Sequence, residues 1–526
     1  MKSQPSTMSH NFSQVPHANV RRSSFDRSRS YKTTFNSGYL IPWLVDEILP
    51  GDTVKMSPTF LARLATPIKP FMDNLWLDWM VFFVPNRLVW DNWQRQMGEQ
   101  RNPGDSVDFL TPQMVAPATT GYAFQSLQDY MGLRPGVPGY SHSSLPLRAH
   151  NLCFNEWFRD ENLQNSITVD VGNGPDLPAN YVLRRRGKRH DYFTSALPSP
   201  QKGPAVTIPL GSFAPVSYSN ALSNDATLLR VATTGALNPT NGPLYAQGVD
   251  GNLYNQGTGT ELQVDNSANL QVDLSSATAA TISALRQAAA VQQLYETDAR
   301  GGTRYVELLK AHFGVTSPDA RLQRPEYLGG GSARVNVNPV PQTAPTDSET
   351  PQGNLAGFGA VSATGSVVKS FVEHGILIAF CSVRADLNYQ QGLNRMWSRN
   401  TKLDYFWPTM QNIGEQAVLN KEIFVQGTSA DEDVFGYQER YAEYRYAPNL
   451  ITGKFRSDDP QSLDVWHLAQ DFGSLPALNS NFIEENPPVE RVVAVVDEPQ
   501  FLMDVWTEFT HVRPMPMYSV PGLTRF

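Results

Sequence analysis

Arg184, Arg185, Arg186, Lys188, Arg189 and His190 crowd into one short stretch of the chain, and Tyr192 and Phe193 follow directly. Concentrated positive charge beside aromatic rings suits single-stranded nucleic acid. Phosphates supply affinity there, and unpaired base faces stack on rings with little regard to sequence. An exposed basic loop, or a subunit contact to carboxylates, accounts for the same charges equally well. If all five strong bases meet phosphates, log affinity falls with log salt at a slope of roughly −3.5. A second basic segment is residues 1–34, where Lys2, Arg21, Arg22, Arg27, Arg29 and Lys32 face the single acid Asp26. It reads as a basic arm, either a solvated tail or a nucleic-acid contact.

The search for catalytic chemistry is negative. The sequence has no GxSxG elbow, no HExxH, no GxxxxGK[ST] and no paired CxxC. Its nine histidines are scattered, and the close pair His142 and His150 has no neighbouring Glu to complete a metal set of the kind a cupin-like sandwich enzyme needs. Asp431-Glu432-Asp433 offers oxygen ligands for a divalent cation but reads better as a solvated loop. Gly329-Gly330-Gly331-Ser332 lacks the Lys of a phosphate loop and reads as a flexible crossing. No catalytic residue, metal or cofactor is expected.

The elements that position these groups are mostly strands. GYLIPWLVDEILPGD from Gly38, and the apolar Leu75 to Val84 between Pro70 and Pro85, look like buried strands. Similar signals recur at Gly375 to Val383, Arg491 to Val496 and Gln500 to Val512. In the last, Phe501, Met503, Val505, Thr507 and Phe509 alternate onto one face. Scattered strands with long irregular stretches between them predict an all-β sandwich with large loop insertions. One region is helical: Thr278 to Ala299 is Ala-rich, carries Ile282, Leu285, Ala289 and Leu294 on about one face and ends at Gly301-Gly302. Thr303 then caps a second short helix that stops at Gly314. The helical stretch therefore runs over 277–314, as a packing element within an insertion.

Residues 211–276 stand apart. They contain no Lys and have Arg230 as their single strong base, against Asp225, Asp250, Glu261, Asp265 and Asp273. Asp250-Gly251 is a hairpin-turn pair, and Leu262/Val264 and Leu270/Val272/Leu274 alternate as in half-buried strands. A projecting, partly β-structured lobe is expected; a linker is the plainer alternative.

Composition sets the outer bounds. Lys+Arg 42 against Asp+Glu 50 gives a formal charge of −8, so the chain is not a generally basic nucleic-acid binder and any such contact is local. Cys153 and Cys381 lie far apart and form no disulfide framework or zinc site by themselves, which fits a reduced compartment. The start, MKSQPSTMSHNFSQ, shows no apolar signal-peptide core, and Ile376 to Val383 is far shorter than a membrane span. A protein made and assembled inside a cell, without membrane insertion, is expected.

Several long strings carry more specific information: KTTFNSGYLIPWLVDEILPGD, FFVPNRLVWDNWQ, DARGGTRYVELLKAHFGV, SVRADLNYQQGLNRMWSR, WHLAQDFGSLPALNSNFIEENPPV and the closing RPMPMYSVPGL. They closely resemble the major capsid proteins of the microviruses, specifically the gokushovirus branch, over nearly the whole chain except 211–276 and the extreme N-terminus. The resemblance implies an eight-stranded antiparallel viral jelly roll at 35–526, a T=1 icosahedral shell around a circular single-stranded DNA genome, and a virion protein assembled in the host bacterial cytoplasm. It also implies self-association, a small basic DNA-binding protein and other virion or scaffolding proteins as partners, and a projecting insertion that meets a host surface receptor. That insertion falls at 211–276, with Tyr245, Asp250, Gly251 and Tyr254 as candidate attachment residues. The Pro-rich C-terminus is too apolar for a free tail and should lie extended over its own core or a neighbour. A separate host-binding spike or fibre module is the alternative. Such a module has no genome to contact and no use for the two basic segments.

Overall fold

A computed structural model describes residues 21–204, 206, 282–315, 323–348 and 351–518, together with the backbone of six short strands between 216 and 272. The chain divides into two compact units, residues 1–200 with 299–526, and residues 201–298.

The larger unit is a jelly roll. Its strands are β1 (Ser23–Asp26), β2 (Arg29–Phe35), β3 (Ile41–Ile48), β4 (Thr53–Leu64), β5 (Leu75–Pro85), β6 (Glu326–Pro341), β7 (Leu355–Thr364), β8 (Val367–Ser370), β9 (Gly375–Ala385) and β10 (Phe501–Arg513). One half runs β1/β2, β10, β4, β7/β8 and the other β3, β9, β5, β6, with every pairing antiparallel. The long β6 belongs to both halves, pairing β5 through Val335 and β7 from Asn336 onward. Across the sandwich Phe60 of β4 stacks on Trp79 of β5 at 5.9 Å and meets Trp43 of β3 edge-on at 5.1 Å. Those contacts between facing sheets define the main core.

The two halves explain two kinds of strand sequence. In β10 the inward residues Phe501, Met503, Val505, Thr507 and Phe509 are buried and alternate with more exposed ones, because the far side of that sheet is solvated. Leu75–Pro85 and Gly375–Ala385 instead read as unbroken apolar runs because both of their faces are covered. Phe82, Val84, Ile376, Ile378 and Phe380 pack outward against Leu145, Ala149 and Cys153 of the helix Leu145–Cys153. That helix also buries Arg148, which meets Asp176 through Nη2 at 2.5 Å and Nε at 2.8 Å.

Three expectations change. Arg491 to Val496 is no strand: Pro487 and Pro488 precede a short 3-10 turn at Val489–Arg491, and Val492 and Val493 enter the core from it. Gly329 to Ser332 is no flexible crossing but part of β6, bulged between Tyr327 and Gly329. Glycine is required there because a Cβ on Gly331 would stand 2.7 Å from the Trp79 indole nitrogen. Ser23 to Thr34 does not trail as an arm: alternating Tyr31, Thr33 and Phe35 bring β2 into register with β10.

In the unit 201–298 a four-stranded sheet runs Leu244–Gln247, Asn252–Asn255, Glu261–Val264, Leu229–Val231, and Leu270–Val272 pairs with Val216–Tyr218. Tyr245 and Tyr254 are register partners on a hairpin. Asp250 and Gly251 lie outside the described residues, as does Lys2. The helix Ile282–Arg300 leaves Ile282, Leu285 and Leu294 exposed instead of packed. The next helix, Tyr305–Phe313, ends at left-handed Gly314 as expected, but Arg304 takes the capping position while Thr303 donates to Glu161.

Candidate nucleic-acid interface

The basic segment is held as a short added strand. Leu40 donates to the Arg184 carbonyl at 2.9 Å and Arg186 to that of Gly38 at 2.8 Å, while on the other side Lys188 donates to Ile483 and Glu485 to Arg186, both at 2.7 Å. Residues 184–188 are thereby clamped between the entry to β3 and the turn Ser480–Ile483.

This placement divides the five bases. Arg186 is committed to the protein: its Nη1 lies 2.6 Å from Asp78, which also receives Arg384 at 2.5 Å. Lys188 is buried, 4.7 Å over the Phe482 ring, and burial lowers its pKa against the pull of Glu485. Burial in turn pushes the Glu485 carboxyl up to about 7, with Lys188 opposing the shift. Three bases remain half-exposed. Arg185 lies 4.3 Å over the Tyr39 ring and donates to the Glu485 carbonyl and Asn486. Arg189 stands 3.7 Å from Asp386 and over Trp76. Arg184 sits near buried His150, whose pKa burial lowers to about 4 with help from the Arg184 charge.

Tyr192 and Phe193 cannot offer stacking faces. Both are buried in a separate core with Tyr389, Val418 and Phe435, Tyr192 is stacked on Tyr446 at 5.4 Å, and its hydroxyl donates to Glu422 at 3.0 Å. The reason is local: Asp191 accepts from the Phe193 and Thr194 amides, and this turn drives the two rings inward.

The N-terminal bases are also partly engaged. Arg27 pairs with Asp46 at 2.8 Å and contacts His511; Lys32 reaches Asp504 at 3.1 Å in an exposed pair. Arg22 donates to Gly51 and Thr53, and Arg29 to the Val45 carbonyl. Arg21, Arg22, Arg29 and Lys32 are exposed.

Elsewhere, buried Asp431 accepts from the Gln426 and Gly427 amides and Glu432 pairs with Lys421, so this acidic run closes its own loop. Among the described residues no group of three or more His, Cys, Asp or Glu side chains is arranged to hold a metal, and no helix is long and apolar enough to cross a membrane.

Sequence reasoning missed the rings nearest the basic edge. A cavity of about 660 Å³ is walled by Tyr39, Tyr122, Phe124, Gln125, Tyr130 and Tyr181 among others, and its wall includes Leu183, directly before Arg184. An exposed Phe124 in a charge-free stretch from Ala116 to Gln128 was the available signal.

Comparison with known proteins fits this architecture. Residues 13–523 match the model of the family described as Capsid protein (F protein). The chain is 50% identical to capsid protein VP1 of Bdellovibrio phage phiMH2K over 520 residues, covering 98% of this chain and 97% of that one. It is 44% identical to capsid protein VP1 of Chlamydia phage 1, covering 99% of each, and 39% identical to that of Spiroplasma virus 4, covering 98% of each. With its jelly roll and a match along nearly its full length, the chain belongs to the F-protein capsid family, in the gokushovirus branch of the Microviridae.

Proposed function

We propose that this chain is the major capsid protein that closes a T=1 icosahedral shell around a circular single-stranded DNA genome. On this reading it presents Arg184, Arg185 and Arg189, with Arg21, Arg22, Arg29 and Lys32, to that genome. The observation that carries the shell reading is the jelly roll in a member of a capsid family. Exposed apolar side chains in the segment 396–413 support assembly through copies of the chain: Trp397 is 70% exposed, and Met396, Leu403, Tyr405 and Ile413 of the same segment are exposed too. Exposed apolar patches mark interfaces. Charge supports the sidedness, since the half-exposed bases complement phosphates while the acidic segment 211–276 repels them. That lobe, with Tyr245, Asp250, Gly251 and Tyr254, is the part suited to host attachment. A small basic DNA-binding protein packaged beside the shell would balance the negative coat against an anionic genome.

Alanine at Arg184, Arg185 and Arg189 together tests the genome contact. Assembled particles should form with reduced DNA content, and the salt slope of single-strand binding should flatten by about 2, three phosphate contacts at roughly 0.7 each. Unchanged packaging and slope would remove these residues from the interface.

A further inference from the structure

The cavity beside the basic edge has the chemistry of a base-binding site, and we propose that it takes one unstacked nucleobase of single-stranded DNA whose phosphate contacts Arg185. This deepens the genome-contact reading and rests on it. Among the described residues the cavity wall contains no Asp, Glu, Lys, Arg or His. Cationic and anionic ligands therefore find no charged partner within it, whereas a neutral planar ring finds the exposed face of Phe124 and the exposed side-chain amide of Gln125. Its volume of about 660 Å³ lies within the usual range for small-ligand sites, roughly 300–1,000 Å³.

Charge is added only at the rim. Arg185 stacks on Tyr39, so a ring bordering a neutral cavity is in contact with a cation that suits the sugar-phosphate chain. Leu183 and Arg185 are two residues apart on the extended segment, which turns wall and charge to the same face. Phe124 stands at the wall and is 74% exposed. Gln125 beside it has a φ of +60°, the left-handed region that non-glycine residues rarely adopt and that gathers at binding sites. Gly121 in the same loop has a φ of +66°, and a Cβ there would strike the Val137 carbonyl at 2.4 Å, so the loop has no room to relax by substitution.

The test measures binding of the full chain to an oligothymidylate and to an abasic sugar-phosphate chain of equal length. The wild type should prefer the oligothymidylate, and Phe124→Ala and Tyr39→Leu should each weaken that binding by about tenfold and abolish the preference, with the salt slope unchanged. Phe124→Ala removes an exposed ring, so its fold should survive. Equal binding of the two probes by the wild type, or undiminished oligothymidylate binding by Phe124→Ala, would overturn the cavity assignment and leave the charge contact standing. Failure of the wild type to bind either probe would overturn the genome-contact reading beneath it. If Phe124→Ala binds DNA normally but no longer assembles, the cavity receives a segment of a neighbouring copy, and the proposal is wrong.

Discussion

Arg186 reaches Asp78 of β5 at 2.6 Å, and this contact converts part of an apparent DNA-binding motif into internal structure. Asp78 is nearly inaccessible and also neutralises Arg384, so removing it leaves two guanidinium groups in a poorly solvated place. Asp78→Ala should cost about 3 kcal/mol in denaturant unfolding, the range for breaking a buried pair from one side. A loss under about 1 kcal/mol would mean that solvent screens the cluster.

The same cluster predicts an acid response. The Glu485 pKa is raised to about 7 by burial, so its stabilising contribution is full below its ordinary value near 4.5 and is lost as pH rises through 7. His150, lowered to about 4, acts oppositely: its contribution is full above about 6.5 and is lost as pH falls toward 4. The two oppose each other between pH 4.5 and 6.5. Glu485→Gln leaves the histidine uncompensated, so the variant should lose stability on acidification across that window more steeply than the wild type. Superimposable unfolding profiles would contradict the assignment.

Gly365, between β7 and β8, is fixed by Trp79. A Cβ there would lie 2.0 Å from the indole Cζ2. Gly365→Ala should cost about 1–3 kcal/mol by overpacking. Trp79→Phe should recover part of that cost, giving a coupling above about 0.5 kcal/mol in a double-mutant cycle. Additive losses would show that the loop, and not the indole, sets the constraint.

Trp397 should matter to assembly and hardly at all to folding. Trp397→Ser removes a side chain that is 70% exposed, so the unfolding free energy should change by no more than about 0.5 kcal/mol while sedimentation shows small oligomers in place of shells. Normal shells from this variant would place the subunit contact elsewhere.

Much of the sandwich was legible because burial leaves a periodic trace. The alternation from Phe501 to Phe509 announced a strand with one wet face, and the unbroken run from Leu75 to Val84 announced one covered on both. The run Arg491 to Val496 is equally apolar yet turns, since the two preceding prolines and the contacts with Thr66 and Ile68 outweigh strand propensity. The interface was legible only as charge. Nothing near Arg186 in sequence reveals Asp78, and nothing near Arg185 except the fold itself brings Tyr39 beneath it. Tyr192 and Phe193 misled for the opposite reason: proximity in sequence to the bases concealed a turn that buries them.

The central claim is a shell subunit whose basic edge faces its genome, and electron cryomicroscopy of DNA-filled particles tests it most directly. A T=1 icosahedral shell is expected, with nucleic-acid density against Arg184, Arg185 and Arg189 on the inner surface. A different lattice, or a shell with those three residues on its outer surface, would contradict the account.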